Sequence, residues 1–194
     1  RDDDGALPIV RAMSSIAGNT SVLVAAEYLS NVNGGKGVML GGISGITPTE
    51  VVILGAGTAG EFAARAALGL GASVKVFDDS VKRLMDLQNI LGQRLYTSIF
   101  HPQVLEKVLR TADVVIGNIT QEETNGTYVV SEELVKIMKK GSVIIDLSID
   151  KGGCFETSEI REHSSPSFVK HGVIHYCVPN ITSRVARTAS IGMS

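Results

Sequence analysis

Two hydrophobic periodicities divide the chain. From residue 8 to about residue 30, Ile9, Met13, Ile16, Val22, Leu23, Ala26 and Leu29 recur at mixed spacings of three and four. That is the period of a helix burying one face. Pro8 suits the first helical position, where its missing N–H has no partner to lose. Gly18 lowers the helical propensity of the middle. Two glycine clusters follow, Asn33-Gly34-Gly35-Lys36-Gly37 and Gly41-Gly42-Ile43-Ser44-Gly45. Glycine admits positive φ, so this stretch reads as loop. Residues 1–45 are therefore expected to form a connecting helix and a glycine-rich linker, and residues 46–194 a compact domain.

From residue 51 short apolar runs alternate with helical patterns. Val51-Val52-Ile53-Leu54 is continuous, as in a strand covered on both faces. An Ala-rich helix is expected over 58–70, a strand over 74–77, and a helix over 80–91 with Ser80 as N-cap. Strands at 95–99, 114–116, 143–145 and 173–178 follow. Short helices at 102–109 and 131–138 lie among them, the latter with Glu132 and Glu133 in its first turn, where the dipole favours anions. No fixed-period repeat appears. This alternation predicts an α/β fold, a parallel sheet with helices on both faces.

The first strand runs into Gly55-Ala56-Gly57-Thr58-Ala59-Gly60, a G-x-G-x-x-G match that opens the Ala-rich helix. The strand–turn–helix setting is what the motif requires. Gly55 would allow the tight turn, Gly57 the close approach of a pyrophosphate, and Gly60 close helix–strand packing. Free N–H groups and the dipole at the helix start both favour a diphosphate. The expected fold is thus a Rossmann-type doubly wound sheet preceded by a long connecting helix. Asp78, at the tip of the second strand, lies 18 residues after Gly60. A carboxylate there accepts ribose hydroxyls and repels a 2′-phosphate, which favours NAD(H) over NADP(H). Arg83, five residues on, is suited to stack on adenine or meet a phosphate. The carboxyl ends of later strands should line the nicotinamide side. They supply Gly117-Asn118-Ile119, the segment from Leu147 through Ile149 and Asp150 to Gly153, and Pro179-Asn180-Ile181-Thr182-Ser183-Arg184.

Composition adds mainly exclusions. Hydrophobic residues make up 44% and charged residues 20% of 194, which argues against disorder. The length suits one domain. A net charge of −2 gives no basic footprint for nucleic acid. With no Trp and 5% aromatics, a stacking platform for single strands is not expected. Cys154 and Cys177 make neither a disulfide framework nor a zinc site and read as buried thiols. They point to a reducing, cytoplasmic setting. No metal-ligand cluster is visible. No apolar run reaches the roughly 18 residues of a membrane helix. The start, Arg1-Asp2-Asp3-Asp4, lacks signal-peptide character and an initiating Met, so a fragment or processed chain is expected.

More specific segments complete the pattern: Met13-Ser14-Ser15-Ile16-Ala17-Gly18, Gly34-Gly35-Lys36-Gly37, Val143-Ile144-Ile145-Asp146-Leu147-Ser148-Ile149-Asp150 with Gly152-Gly153, His175-Tyr176-Cys177-Val178-Pro179-Asn180, and Arg187-Thr188-Ala189-Ser190. With the glycine loop, they make the chain resemble the NAD-binding domain of the alanine dehydrogenase and pyridine nucleotide transhydrogenase family. The Ile-Asp-x-Gly-Gly segment looks like the alanine dehydrogenases. The resemblance implies interconversion of L-alanine with pyruvate and ammonia by hydride transfer with NAD, and a homo-oligomer, commonly a hexamer. It implies cofactor contacts from Ser14, Gly55, Gly57, Thr58, Ala59, Gly60, Asp78, Arg83, Asn118, Ile149, Asn180 and Ile181, with Asp150 at the active site near substrate and nicotinamide. It also places a catalytic His, a substrate-binding Lys and a carboxylate-gripping Arg on a second domain, which has no matching segment here. His171 and His175 read as structural hydrogen-bonding groups, and none of the four histidines is assigned as base.

Some positions depart from the family. Lys151 stands where Gln is common, and Thr182 and Ala186 replace usual prolines. The segment from Asn118 to Thr127 lacks the usual Pro-Gly turn. Two other readings stay open: a transhydrogenase NAD(H) domain, and a module that holds NAD(H) without catalysis. A short-chain dehydrogenase would need Tyr-x-x-x-Lys, but Tyr28, Tyr96, Tyr128 and Tyr176 are followed at that spacing by Val32, Phe100, Glu132 and Asn180.

Overall fold

A computed structural model describes residues 7–194; the acidic start at residues 1–6 lies outside the described residues. A long helix, α1 (Pro8–Leu29), comes first, with Pro8 at its opening turn as expected. A βα alternation follows: β1 (Glu50–Leu54), α2 (Thr58–Gly69), β2 (Ser73–Phe77), α3 (Val81–Leu91), β3 (Tyr96–Ser98), α4 (Pro102–Thr111), β4 (Val114–Gly117), α5 (Glu132–Lys136) and β5 (Val143–Asp146). β6 (Ser167–Lys170), β7 (Val173–Tyr176) and α6 (Ala186–Gly192) complete the chain. The strands form one sheet in the order β3-β2-β1-β4-β5-β7-β6. All neighbours are parallel except β6 and β7. The order runs outward from β1 in both directions, so the switch point lies between β1 and β4, where doubly wound sheets bind ligands.

The central strands are buried on both faces, as their unbroken apolar runs require. Val51, Val52, Ile53 and Leu54 are all fully buried. Alternate residues feed two apolar clusters. Val51 and Ile53 join α1, α2 and α3 on one face. Val52 and Leu54 join α4, α5 and Phe155 on the other. Full burial of each such side chain contributes about 1.5–3 kcal/mol. Ser80 and Ser131 cap α3 and α5, accepting the N–H groups of Arg83 and Leu134.

Helix α1 belongs to the same apolar cluster as the sheet and α2. Gly18 is the reason that the two helices can touch. A Cβ on Gly18 would lie 2.2 Å from the Ala59 carbonyl oxygen and 3.0 Å from the Ala63 nitrogen. The glycine that weakens the helix in isolation is therefore demanded by the crossing. With 22 residues and a mean hydropathy of 1.3, α1 is long and apolar enough to cross a membrane by length and composition, which the sequence reading did not expect. Val22, Val24, Ala25, Tyr28 and Leu29 are packed inside the fold. The glycine-rich segment is pinned at the amino ends of the strands. Lys36 Nζ pairs with Asp113 Oδ1 at 2.5 Å, and Asp113 Oδ2 accepts the Glu50 N–H at 2.8 Å. Burial alone would raise the Asp113 pKa, but these hydrogen bonds and the Lys36 and Lys139 charges outweigh it and hold the carboxyl below its ordinary value.

The structure differs from the sequence reading in three places. The sheet is not wholly parallel, because β6 joins it as an antiparallel edge strand. The expected sixth strand ends at Tyr176 rather than Val178 and pairs with β6 through a two-residue turn, His171-Gly172, with φ of 53° and 75°. Positive φ at both turn positions matches the right-handed twist of a tight hairpin. Residues 186–192, given no element from sequence, form α6, which packs near α1.

Candidate functional site

The glycine loop sits at the carboxyl edge of β1, beside β4. Gly55 has a φ of 109°, and a Cβ there would strike the Asn118 side chain. A Cβ on Gly60 would lie 2.0 Å from the Gly55 carbonyl oxygen, so α2 packs hard on the strand end, as expected for this glycine. Gly57 is different. Its φ is −75°, it is exposed, and a Cβ would meet nothing within 4 Å. Nothing among the described residues requires glycine there, whereas a ligand pressed against the backbone would. No side chain caps the start of α2, which leaves that helix end to an anion. The loop thus fits a pyrophosphate by shape and by donor chemistry.

Two side chains hold the loop in place. Asp78 is 3% exposed. Its Oδ2 accepts the Ala56 N–H at 2.8 Å and its Oδ1 the Ser80 N–H at 2.7 Å. The carboxylate therefore locks the loop to the end of β2 while still lining the adjacent cleft. Asn118, with its amide nitrogen facing the carbonyls, donates to Leu54 O at 2.5 Å, and its oxygen accepts the Gly60 N–H at 2.7 Å. It ties β1, β4 and α2 together at the switch point. Sequence reasoning gave these two residues to the cofactor alone; the structure adds loop anchoring to each.

A cleft opens on either side of the loop. One, of about 650 Å³, lies beside β2 and is lined by Asp78, Arg83, Phe100, Ile119, Glu123 and Tyr128, among others. The other, of about 280 Å³, lies toward β5 and β7 and is lined by Ser14, Ala59, Asn118, Asp150, Lys151, Asn180 and Ile181, with Met13 and Thr120. Neighbouring residues after β4 face different clefts: Ile119 the first, Asn118 and Thr120 the second. Two unequal clefts lie near the glycine loop, one reached through Asp78 and the other through Ala59.

Most expected site residues converge here. Ser14 reaches the second cleft from α1, and Asp150 reaches it from a 3-10 turn, Ile149–Lys151, where its side chain is exposed. Asn180 holds a φ of 58°, and its Oδ1 accepts the Thr182 hydroxyl at 2.7 Å. Thr58 opens α2 at the loop. Ile149 does not join the others. Its side chain is buried, with Cδ1 near Gly153, and it does not line the cleft. Phe100, Glu123 and Tyr128 escaped sequence reading. They belong to β-edge and turn segments with no periodic pattern, and the only cue is the run of Thr, Asn and Gly from Thr120 to Thr127 that marks a self-bonded loop.

The buried titratable groups nearby are structural. Asp146, at the end of β5, accepts hydrogen bonds from Ser148, Cys154 and Ser158. Burial raises its pKa against their pull. Burial also lifts the Cys154 thiol well above its ordinary value and the Cys177 thiol to about 12, so neither is a ready thiolate. His175 is fully buried, with Nδ1 donating to Val173 O at 2.8 Å and Nε2 accepting from Thr157 Oγ1 at 2.7 Å. Desolvation depresses its pKa to about 4. It is a neutral core histidine, as its strand position suggested. His171 Nε2 meets Glu132 at 2.7 Å. Among the described residues no group of His, Cys, Asp and Glu is placed to hold a metal.

Comparison with known proteins gives a consistent pattern. Residues 21–194 match the family described as alanine dehydrogenase/PNT, C-terminal domain. The chain is 43% identical over 192 residues to an alanine dehydrogenase of Staphylococcus epidermidis, covering 98% of this chain and 52% of that protein. A solved L-alanine dehydrogenase superposes with a TM-score of 0.90 at 38% identity, over 98% of this chain and 53% of the other. A transhydrogenase from Sinorhizobium meliloti shares the fold with a TM-score of 0.78 at 23% identity, over 95% of this chain and 52% of the other. The chain spans about half the length of the curated relatives it matches.

Proposed function

Since the chain belongs to the alanine dehydrogenase/PNT C-terminal domain family, we propose that it is the NAD(H)-binding part of an alanine dehydrogenase. The observation that carries this reading is the open space over Gly57 between two clefts at the carboxyl edge of the sheet. The higher identity to the solved alanine dehydrogenase, 38% against 23% for the transhydrogenase, supports the alanine reaction. In the forward direction L-alanine, NAD⁺ and water give pyruvate, ammonium, NADH and one proton.

In this reading each residue has a defined task. The Gly55–Gly60 turn and the start of α2 hold the pyrophosphate. The cleft beside Asp78 and Arg83 takes the adenosine, and the acidic Asp78 favours NAD(H) over NADP(H). The cleft lined by Ser14, Ala59, Asn118, Asn180 and Ile181 takes the nicotinamide. Ile149 acts from behind, filling space under Gly153. When bound, NAD supplies the hydride acceptor. Asp150, exposed on its 3-10 turn, stabilises the cationic nitrogen of the substrate and orders a water or proton path. The residues that grip the substrate carboxylate and serve as base come from elsewhere in the full enzyme, so these 194 residues alone do not turn over alanine. A homo-oligomer and a cytoplasmic setting complete the reading; exposed Ile9, Val10 and Leu23 on α1 are available to such contacts.

The test is a fluorescence titration of the chain with NADH and, in parallel, NADPH. Saturable NADH binding with much weaker NADPH binding is expected. Absence of binding to either, or a preference for NADPH, would overturn the reading, and so would deamination of alanine by the isolated chain.

A further inference from the structure

The cleft beside β2 is lined by one guanidinium, Arg83, and three carboxylates, Asp78, Asp79 and Glu123. Arg83 Nη1 lies 3.4 Å from Asp78 Oδ2 and 3.5 Å from Glu123 Oε1. One nitrogen thus stands between acids from two walls, the end of β2 and the loop after β4. Neither acid is loose. Asp78 is held by the Ala56 and Ser80 N–H groups. The second oxygen of Glu123 accepts the Thr120 N–H at 2.8 Å and the Thr120 hydroxyl at 3.0 Å. Arg83 itself is half exposed and rises from the first turn of α3. Its long side chain would sweep the cleft if nothing held it.

Resting on the NAD(H) reading above, we propose that Glu123 determines cofactor specificity by tethering Arg83. A 2′-phosphate is recognised by a guanidinium that offers it paired donors. Among the described residues lining this cleft, Arg83 alone offers them. Held between Asp78 and Glu123, it is withheld from a phosphate, and the ribose end of the cleft keeps its negative character. Glu123 lies on the loop after β4, outside the glycine motif, so this restraint is separate from the motif's own contacts.

The experiment measures NADH and NADPH dissociation constants for the wild-type chain, Glu123→Gln, Arg83→Gln and the double variant. The pair is solvent-exposed, so a modest effect is expected: Glu123→Gln lowers the NADPH-to-NADH ratio of dissociation constants about fivefold. The gain shrinks as salt is raised. On the Arg83→Gln background the same change moves the ratio less than about twofold, because no guanidinium remains to release. If wild type binds NADH but Glu123→Gln leaves the ratio unmoved, the proposal fails while the NAD(H) reading stands. Equal shifts on both backgrounds would also overturn it, since they would mean plain repulsion without a tether. Failure of wild type to bind NADH would remove the reading itself, and the proposal with it.

Discussion

Gly57 and Gly60 stand in one loop for opposite reasons. At Gly60 the neighbour is the chain: an added Cβ meets the Gly55 carbonyl oxygen at 2.0 Å. At Gly57 the added Cβ meets nothing. Gly60→Ala should therefore damage the fold, costing about 1–3 kcal/mol of stability as overpacking does. Helix propensity returns at most about 1 kcal/mol, which does not change the sign. Gly57→Ala should leave the unfolding free energy within about 1 kcal/mol of wild type but weaken NADH about tenfold or more. Urea unfolding beside NADH titration separates the two. A Gly57→Ala chain that binds NADH as wild type does would mean that no ligand approaches that backbone.

At the scale of elements, the α1–α2 crossing decides how the second cleft is built, because Ser14 and Met13 reach it from α1. In an isolated helix Gly18→Ala would stabilise by about 1 kcal/mol. Here the methyl would sit 2.2 Å from the Ala59 carbonyl oxygen, so the steric term wins and the helices must part. The expectation is a net loss of about 1–2 kcal/mol in urea unfolding together with weaker NADH binding. Asn19→Ala, at an exposed neighbour, should stay within about 0.5 kcal/mol. The elements themselves could be read in proportion to their burial. β1, β4 and β5 carry unbroken apolar runs, and the glycine loop announces itself because a strand precedes it and a helix follows. β6 could not be read that way: Ser167-Phe168-Val169-Lys170 is half-buried at an edge and shows no run. Its cue was the His171-Gly172 turn. The far wall of the first cleft was hidden for another reason. Phe100, Glu123 and Tyr128 come together only through tertiary placement of turns, which leave no period to detect.

For the whole molecule, the buried histidine sets the response to acid. His175 has a folded pKa of about 4, below its ordinary 6.5. Between those values the unfolded chain holds a proton that the folded chain does not. Its contribution is complete above pH 6.5 and is lost as the pH falls toward 4. From pH 7.5 to 5.5 that amounts to about 1 kcal/mol. Asp113, held below its ordinary 3.8, acts only at lower pH. Asp146, raised by burial, works in the opposite sense from 3.8 upward, so a comparison of variants is needed. His175→Asn, whose amide can still donate to Val173, should be less stable at pH 7.5 and lose less than wild type on going to 5.5. Equal losses in urea midpoint would show that His175 does not govern this range.

The hairpin at the end of the sheet also bears on the order of assembly. β1 must wait for β4, more than sixty residues further along the chain, before its second edge is closed. β6 and β7 need only a two-residue turn, and hairpins close within about 1–10 μs. These two strands are thus the quickest in the sheet to find each other. β7 meets the exposed edge of β5 with its outer side already satisfied. One docking event then adds two strands at once, and the open edge of the sheet passes from the fully buried β5 to the short, half-buried β6.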